Sequence, residues 1–592
     1  MSAPQPVLGK GSPDSSAHET APNSSYEKGT DAEKGIDPVL AIQEEDHGVI
    51  NHANPLKKSL HGRHMQMIAI GGSIGAGLFV GVGGALSRGG PGSLTLGFLI
   101  VGTMMLFTVQ ALGELAVTYP VNGAFFAYFV RFIDPSWGFA VGWDYGISWL
   151  TVLPFELTAA GITIAYWNDT INVGVWVTVF FVLLVLIQFF GVRGYGEVEY
   201  VLGIIKILAC AGFIIFGVIV DCGGVPTDKR GYIGAKYWHD PGAFRNGFKG
   251  FCSVFVTAAF AFAGTELAGL AAAEAANPAE SLPRATKQVF WRIFFFYIVN
   301  TFILGLILPA DDLRLLGSSG ANTKASPFVL AIKEAGVVGL PSVFNAVITI
   351  AVISVANSAT FGSTRTFQAL SQAGMAPKIL AYVDHKGRPI ATVALQLAFA
   401  LLAYINCAPS VGDQFFNWLL ALSGVANFFT WGSICLAHIR FRAAWKHSGH
   451  EVAELPFKAI GGVIGSYIGL ALNIICLIAQ FYIAAWPIGE GELTSADRVK
   501  GFFSSFLAAP IILILYVVWK VISVTSKDPR VNHRGWKLYL KTSEIDVNSG
   551  IREGVLRHPD EVAAELEAKR NRTTKQKIMA PLHGIWEGIF AP

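Results

Sequence analysis

Four glycines, Gly71, Gly72, Gly75 and Gly77, fall within seven residues of one apolar run, Met67-Ile-Ala-Ile-Gly-Gly-Ser-Ile-Gly-Ala-Gly-Leu-Phe. Each costs a helix about 1 kcal/mol against alanine. Close packing of membrane helices wants small residues four apart on one face. Gly71 and Gly75 meet that spacing and the other two lie off the face, so the pattern predicts an unwound stretch. Within a bilayer, backbone freed from its helix is tolerated only where it lines a cavity. The half-helix beyond the break starts with free N–H groups and the positive end of its dipole, which attract an anion. The carboxylate of an amino acid is such an anion. The carbonyls that end the other half-helix suit its ammonium.

A second run, Phe260-Ala-Phe-Ala-Gly-Thr-Glu-Leu-Ala-Gly-Leu-Ala-Ala-Ala-Glu, is interrupted at Gly264 and places Glu266 in mid-span. Glu156, in Leu153-Pro-Phe-Glu-Leu, is the other deep carboxylate. Intramembrane carboxylates are costly and mark function by default. Apolar surroundings favour the neutral form, so either group can load and release a proton during a transport cycle; a permanently protonated or hydrogen-bonded structural glutamate is the alternative. Glu114 and Asp144, nearer span ends, suit gates or caps. Glu274 is expected to pair at the cytosolic mouth, with Arg284 as one candidate. Ser354, Asn357 and Ser358 share one helix face, which serves helix packing and the lining of a site equally well.

The elements that must position these groups are membrane helices. The 592 residues are 52% hydrophobic and 14% charged, against about 25% charged in soluble proteins. That is too little charge to cover a water-facing surface, so the partner of the surface is a lipid bilayer. Runs of about 20 apolar residues, enough to cross the hydrocarbon, recur along the chain. They predict twelve transmembrane helices near Gln66–Leu86, Leu94–Thr118, Gly138–Tyr166, Val173–Gly191, Val201–Val220, Gly250–Ala273, Val289–Leu308, Val343–Leu370, Ile390–Cys407, Phe416–Ile439, Ile464–Ala485 and Phe503–Val524. The glycine interruptions then open each of two five-helix halves, the sequence pointer to inverted repeats around a midplane site.

An even number of spans puts both termini on one side. Lys57, Lys58 and Arg63, then Arg365, Lys378, Lys386 and Arg388, then Arg440, Arg442 and Lys446, and finally Lys520 and Lys527 place that side in the cytosol. Only the longer loop with Lys229, Arg230, Lys236, Arg245 and Lys249 runs against the bias. Residues 1–64 form a polar N-terminal tail expected to be disordered, 65–525 the all-α integral membrane domain, and 526–592 a polar cytosolic tail. The sequons at Asn23 and Asn571 fall on the cytosolic side, and Asn168 lies outside but close to the membrane. A net charge of +3 argues against nucleic acid. The six cysteines fall singly in or beside apolar runs, with no metal or disulfide spacing. No nucleotide loop, nucleophile motif or metal cluster supports an enzyme.

The run Leu56-Lys-Lys-Ser-Leu-His-Gly-Arg-His-Met-Gln-Met through Gly77 resembles the opening of fungal amino acid permeases, members of the amino acid–polyamine–organocation superfamily. Ala111-Leu-Gly-Glu-Leu-Ala, Arg131-Phe-Ile-Asp, Val152-Leu-Pro-Phe-Glu-Leu, Ala356-Asn-Ser, Ser363-Thr-Arg, Gly374-Met-Ala-Pro and Gly387-Arg-Pro fall in family order, and the third-span motif is most similar to the general amino acid permease branch. The resemblance implies a leucine-transporter-type fold, a 5+5 inverted repeat plus two extra helices. It implies proton-coupled uptake of L-amino acids of broad range at the plasma membrane, with the proton as coupling ion and no cofactor. Carried over by motif, Ser73, Ile74, Gly75, Ala76 and Gly77 hold the substrate with Phe260, Ala261, Phe262, Ala263 and Gly264. Asn357 and Ser358 are further candidates for substrate binding, and Glu266 and Glu156 for proton coupling or gating. Ala76, Phe361 and Asp144 depart from the usual Thr, Tyr and Asn.

A sugar-type facilitator would carry a basic Gly-x-x-x-Asp-Arg loop where this chain has Tyr119-Pro-Val-Asn-Gly. A channel would not need a titrating carboxylate. A non-transporting amino acid sensor on a permease scaffold is the rival that the long tails keep open. In the family such tails are similar to ubiquitin-dependent endocytosis signals, which makes ubiquitin-ligase adaptors expected partners at Lys10, Lys28 and Lys34.

Overall fold

The computed structural model describes residues 60, 62–168, 170–275, 277–316, 326–489, 491, 493–526, 536–551 and 556–571. Lys10, Lys28, Lys34 and the Asn23 sequon lie outside the described residues. Among those described, regular structure is helical, with one isolated parallel bridge between Leu60 and Ala275.

Among the described residues, ten helices are long and apolar enough to cross a membrane: Gly77–Thr118, Pro135–Ile164, Gly191–Asp221, Gly247–Glu274, Glu280–Ile307, Leu340–Gln372, Ile390–Cys407, Trp418–His447, Gly462–Ala485 and Ala508–Thr525. The predicted fourth span is a shorter apolar helix, Val173–Gln188. The second half of the first predicted span and all of the second fall within the 42 residues of Gly77–Thr118, while the first span begins in the separate helix Gly62–Gly71. That element is broken where Gly90 leaves helical geometry (φ 80°, ψ 169°) just before Pro91. Proline has no amide to continue the ladder, and a Cβ at Gly90 would come within 2.6 Å of the Ala243 carbonyl oxygen. Glycine is required there on both counts.

The outward faces explain the composition. Val175, Val179, Val182 and Leu186 are exposed on one helix, Ile464, Ile468, Ile475 and Ile478 on another, and Leu513, Ile514, Val517 and Val521 on a third. Contiguous apolar faces of this kind are unstable against water and natural against lipid tails. The chain is a multi-pass membrane protein. Inside, Pro135–Ile164 is almost wholly buried and packs on Leu340–Gln372, Trp418–His447 and Ala508–Thr525.

Contacts between loops divide the helix ends into two sets. In one, the Leu60 amide donates to the Glu274 carbonyl (3.1 Å), Arg388 Nη1 to the Phe189 carbonyl (2.9 Å), and Lys520 pairs with Asp134 (3.0 Å). In the other, Gly92 N–H reaches the Ala243 carbonyl (2.9 Å), Trp167 the Ser342 hydroxyl (3.2 Å) and Thr227 the Ala335 carbonyl (2.8 Å). The polar stretch after the last helix joins the first set. Leu540 N–H donates to the Ile133 carbonyl (3.0 Å), Tyr119 OH to the Val547 carbonyl (2.6 Å), and Arg131 to the carbonyls of Asp546 (2.7 Å) and Ser549 (2.9 Å). Residues 536–551 are thus strapped across the connection between Gly77–Thr118 and Pro135–Ile164.

Candidate functional site

Both glycine-marked segments are unwound. Helix Gly62–Gly71 stops, residues 72–75 form turns and bends, and a π-helical turn restarts at Gly77–Gly81. Helix Gly247–Phe262 stops, residues 263–266 form a turn, and helix resumes at Leu267. The breaks lie against each other. A Cβ at Gly264, whose φ is +96°, would collide with the Gly72 carbonyl, and one at Gly77 would lie 2.8 Å from Ala261 Cα and 2.9 Å from the Phe260 ring. Only residues without a side chain let the two backbones approach this closely.

The break frees backbone amides that suit an anion. Among the described residues no carbonyl accepts from the amides of Gly75 or Gly77, which open the second half of the first helix. The Ala76 amide lies beside the Glu156 carboxylate, whose Oε2 has no partner. Ile74, Ala76, Phe260 and Ala261 are buried, and the Phe155 and Phe260 rings meet edge to face at 4.8 Å. Ser73 Oγ turns back onto the Ile70 carbonyl (3.2 Å). Phe262 faces Tyr297, with centroids 4.2 Å apart, and the Ala263 amide is retained by the Ala259 carbonyl (3.1 Å).

The two carboxylates predicted from sequence stand on opposite breaks. Glu266 accepts from the Gly264 amide (3.1 Å) and from Tyr145 OH (3.0 Å), holding the turn that interrupts its own helix. Glu156 stands on the first break. Asn357 and Ser358 are committed elsewhere. Asn357 Nδ2 donates to Glu199 (2.9 Å) and its Oδ1 accepts from Gln188 (3.2 Å), while Ser358 bonds Tyr195 OH (3.1 Å). Their helix touches the first break through Val355 instead, 2.5 Å from where a Cβ on Gly75 would lie. Glu274 does not pair with Arg284, which bonds Glu280 (3.1 Å); it pairs with Arg365 (2.8 Å). Asp144 is buried with Oδ2 unpartnered rather than capping a helix end.

Two groups on Gly191–Asp221 complete the first break without having been singled out from sequence. Lys206 Nζ donates to the Gly71 carbonyl (2.6 Å), and Glu199 accepts from Ser354 (2.5 Å) and Asn357 against Gly71. Lys206 did carry a signal, an ionisable residue inside a predicted span. An ammonium there occupies the carbonyl end of the first half-helix, where the dipole favours a cation.

Two consequences can be measured. Gly75→Val places bulk against Val355 and 3.3 Å from Glu156 Oε1, and overpacking of this kind is expected to raise the substrate KM about tenfold. Concentration-dependent uptake at matched surface abundance checks it, and an unchanged KM would separate Gly75 from the binding cleft. Arg365→Met strands the buried Glu274 charge and is expected to cost about 3 kcal/mol of stability. Thermal unfolding of the detergent-solubilised protein should show much of that loss recovered in Glu274→Gln/Arg365→Met.

Two crossed, interrupted helices that present free amides within a bilayer-spanning bundle define a small-molecule permeation protein. The sequence model of the amino acid permease family matches residues 64–529, and the chain belongs to that family. It is similar to the cationic amino acid transporter 1 of Schizosaccharomyces pombe, 53% identical over 79% of this chain and 78% of that one. It is also similar to the amino-acid permease inda1 of Hypocrea atroviridis (51%, covering 84% and 85%) and to the general amino-acid permease GAP2 of Candida albicans (50%, covering 88% and 86%). Amino acid transport across a membrane is the activity of this family; its members are transporters, not enzymes.

Proposed function

We propose that this chain takes up L-amino acids of broad range by proton-coupled alternating access at the plasma membrane. The observation that carries the reading is the crossing of the two breaks at Gly72 and Gly264 beside the free amides of Gly75 and Gly77. Those amides suit a carboxylate, which every α-amino acid has, and leave the rest of the substrate to neighbouring groups. Breadth of range follows from it, in keeping with the relative named as a general permease.

The twelve-span reading counts the reversal at Gly90 as a boundary and Val173–Gln188 as a span. It is supported by the alternation of helix ends between the two sets of loop contacts, which returns residue 525 to the side on which residue 62 begins. That side carries Arg131, Arg365, Arg388 and Arg440, so both termini are cytosolic. Ten core helices as two inverted halves, with two more beyond them, fit the placement of one break at the start of each half. Lys206 at the carbonyl end of the first break leaves that position little call for a metal cation, which favours the proton as coupling ion through Glu266 and Glu156. No cofactor enters this scheme, and the tails remain the place for ubiquitin-ligase adaptors.

The deciding experiment is competition uptake with all the common amino acids at two external pH values. Many competitors, faster uptake at acid pH and loss of accumulation with a protonophore are expected. Sodium-dependent uptake that survives the protonophore would replace the coupling ion. Competition by a single amino acid would end the claim of breadth.

A further inference from the structure

Arg292 lies within the apolar helix Glu280–Ile307, its residue only 8% exposed, and neither Nε nor Nη2 has a partner. An uncompensated guanidinium within a membrane bundle is among the costliest side chains a fold can keep. Nearby acids do not neutralise it, since Glu280 holds Arg284 (3.1 Å) and Glu274 holds Arg365 (2.8 Å).

The helix widens immediately beyond it. Ile293–Val299 is π-helical, a geometry that gathers at functional sites. Asn300 Nδ2 secures it by donating to the Phe295 carbonyl (2.9 Å). The widened turn carries Tyr297, a neighbour of Arg292 whose hydroxyl also lacks a hydrogen-bond partner. Tyr297 stands beside Ser73 on the first break and packs its ring on Phe262 at the second (4.2 Å). A line of groups therefore leads from the crossed breaks through Tyr297 to Arg292. Arg292 comes five residues before Tyr297 on a helix that begins at Glu280, and so lies on the Glu274 side of Tyr297. A guanidinium and a hydroxyl, both with donors to spare, call for an anionic acceptor.

We propose that Arg292 and Tyr297 form a second carboxylate site, which receives the substrate's α-carboxylate as it leaves the amides of residues 75–77 for the Glu274 end of the bundle. The site rests on the transport reading above. It gives the departing carboxylate a partner at the depth where it would otherwise be bare in a low-dielectric passage.

The test measures labelled amino acid entering proteoliposomes of the full-length chain from each face separately. Arg292→Gln is expected to raise the KM from the Glu274 face about tenfold or more, the cost of a lost charge-assisted hydrogen bond. The KM from the opposite face should move by less than about twofold. Tyr297→Phe should give a smaller rise with the same sidedness, and Arg292→Lys should keep part of the affinity. Unchanged KM on both faces overturns the proposal, and so does an equal rise on both, which would make Arg292 a support of the fold or of the first site. Should Arg292→Gln not reach the membrane, Tyr297→Phe and Arg292→Lys decide by the same comparison. A wild-type chain that moves no amino acid removes the transport reading and this site with it, whereas missing sidedness in an active wild type removes this site alone.

Discussion

Gly264→Ala is expected to abolish substrate binding and to lower the stability of the folded bundle by several kcal/mol, of which backbone strain supplies about 1–2 kcal/mol. The rest is steric. The new methyl group falls on the backbone carbonyl of Gly72, which, unlike a side chain, cannot swing aside. Relief requires the two interrupted helices to part, and the apposition of the breaks is lost with it. Gly231 supplies the control, because its φ is +64° with nothing within 4 Å of a Cβ. Gly231→Ala pays the conformational cost alone and should leave uptake at the wild-type rate. Thermal unfolding in detergent and uptake at matched surface abundance separate the two variants. Equal behaviour of both would mean that contact between the breaks contributes nothing.

The transmembrane helices were largely legible because lipid imposes one rule on every span. The predicted Ile390–Cys407 coincides with the observed helix, and Ile464–Ala485 differs from Gly462–Ala485 by two residues at one end. The first break was legible because two of its four glycines lie off the face that helix packing would use, and the second because Gly264 and Glu266 interrupt an apolar run. Side-chain partners were not legible. Ser354, Asn357 and Ser358 do share a face, but what that face meets depends on Glu199, which lies just before the predicted fifth span. Glu274 has Arg284 close in sequence, yet its partner Arg365 comes from a helix that folding alone brings near. Arg292 and Lys206 stood inside predicted spans as plain ionisable residues, and the π-helical turn that gives Arg292 its setting has no compositional mark. The strap of residues 536–551 was hidden for another reason. It is held largely through backbone carbonyls of Leu540, Asp546, Val547 and Ser549, a group every residue carries.

The sharpest separation of binding from coupling is expected at Glu266. In Glu266→Gln an oxygen at the Oε1 position can still accept from Tyr145 OH (3.0 Å) and from the Gly264 amide (3.3 Å), so the hold on the second break survives with its geometry. What is lost is the ability to exchange a proton. Substrate exchange between labelled and unlabelled pools should persist, with KM within about threefold of wild type, less than one kcal/mol by the usual conversion. Accumulation against a gradient should vanish at every external pH. Glu266→Ala removes that acceptor as well, leaving the Gly264 amide unsatisfied at a cost of about 1–3 kcal/mol, and should lose exchange and accumulation together. Full accumulation by Glu266→Gln in acid medium would take Glu266 out of the coupling step. The proton's carriage would then rest with Glu156, whose carboxylate lies against Gly75 at the other break.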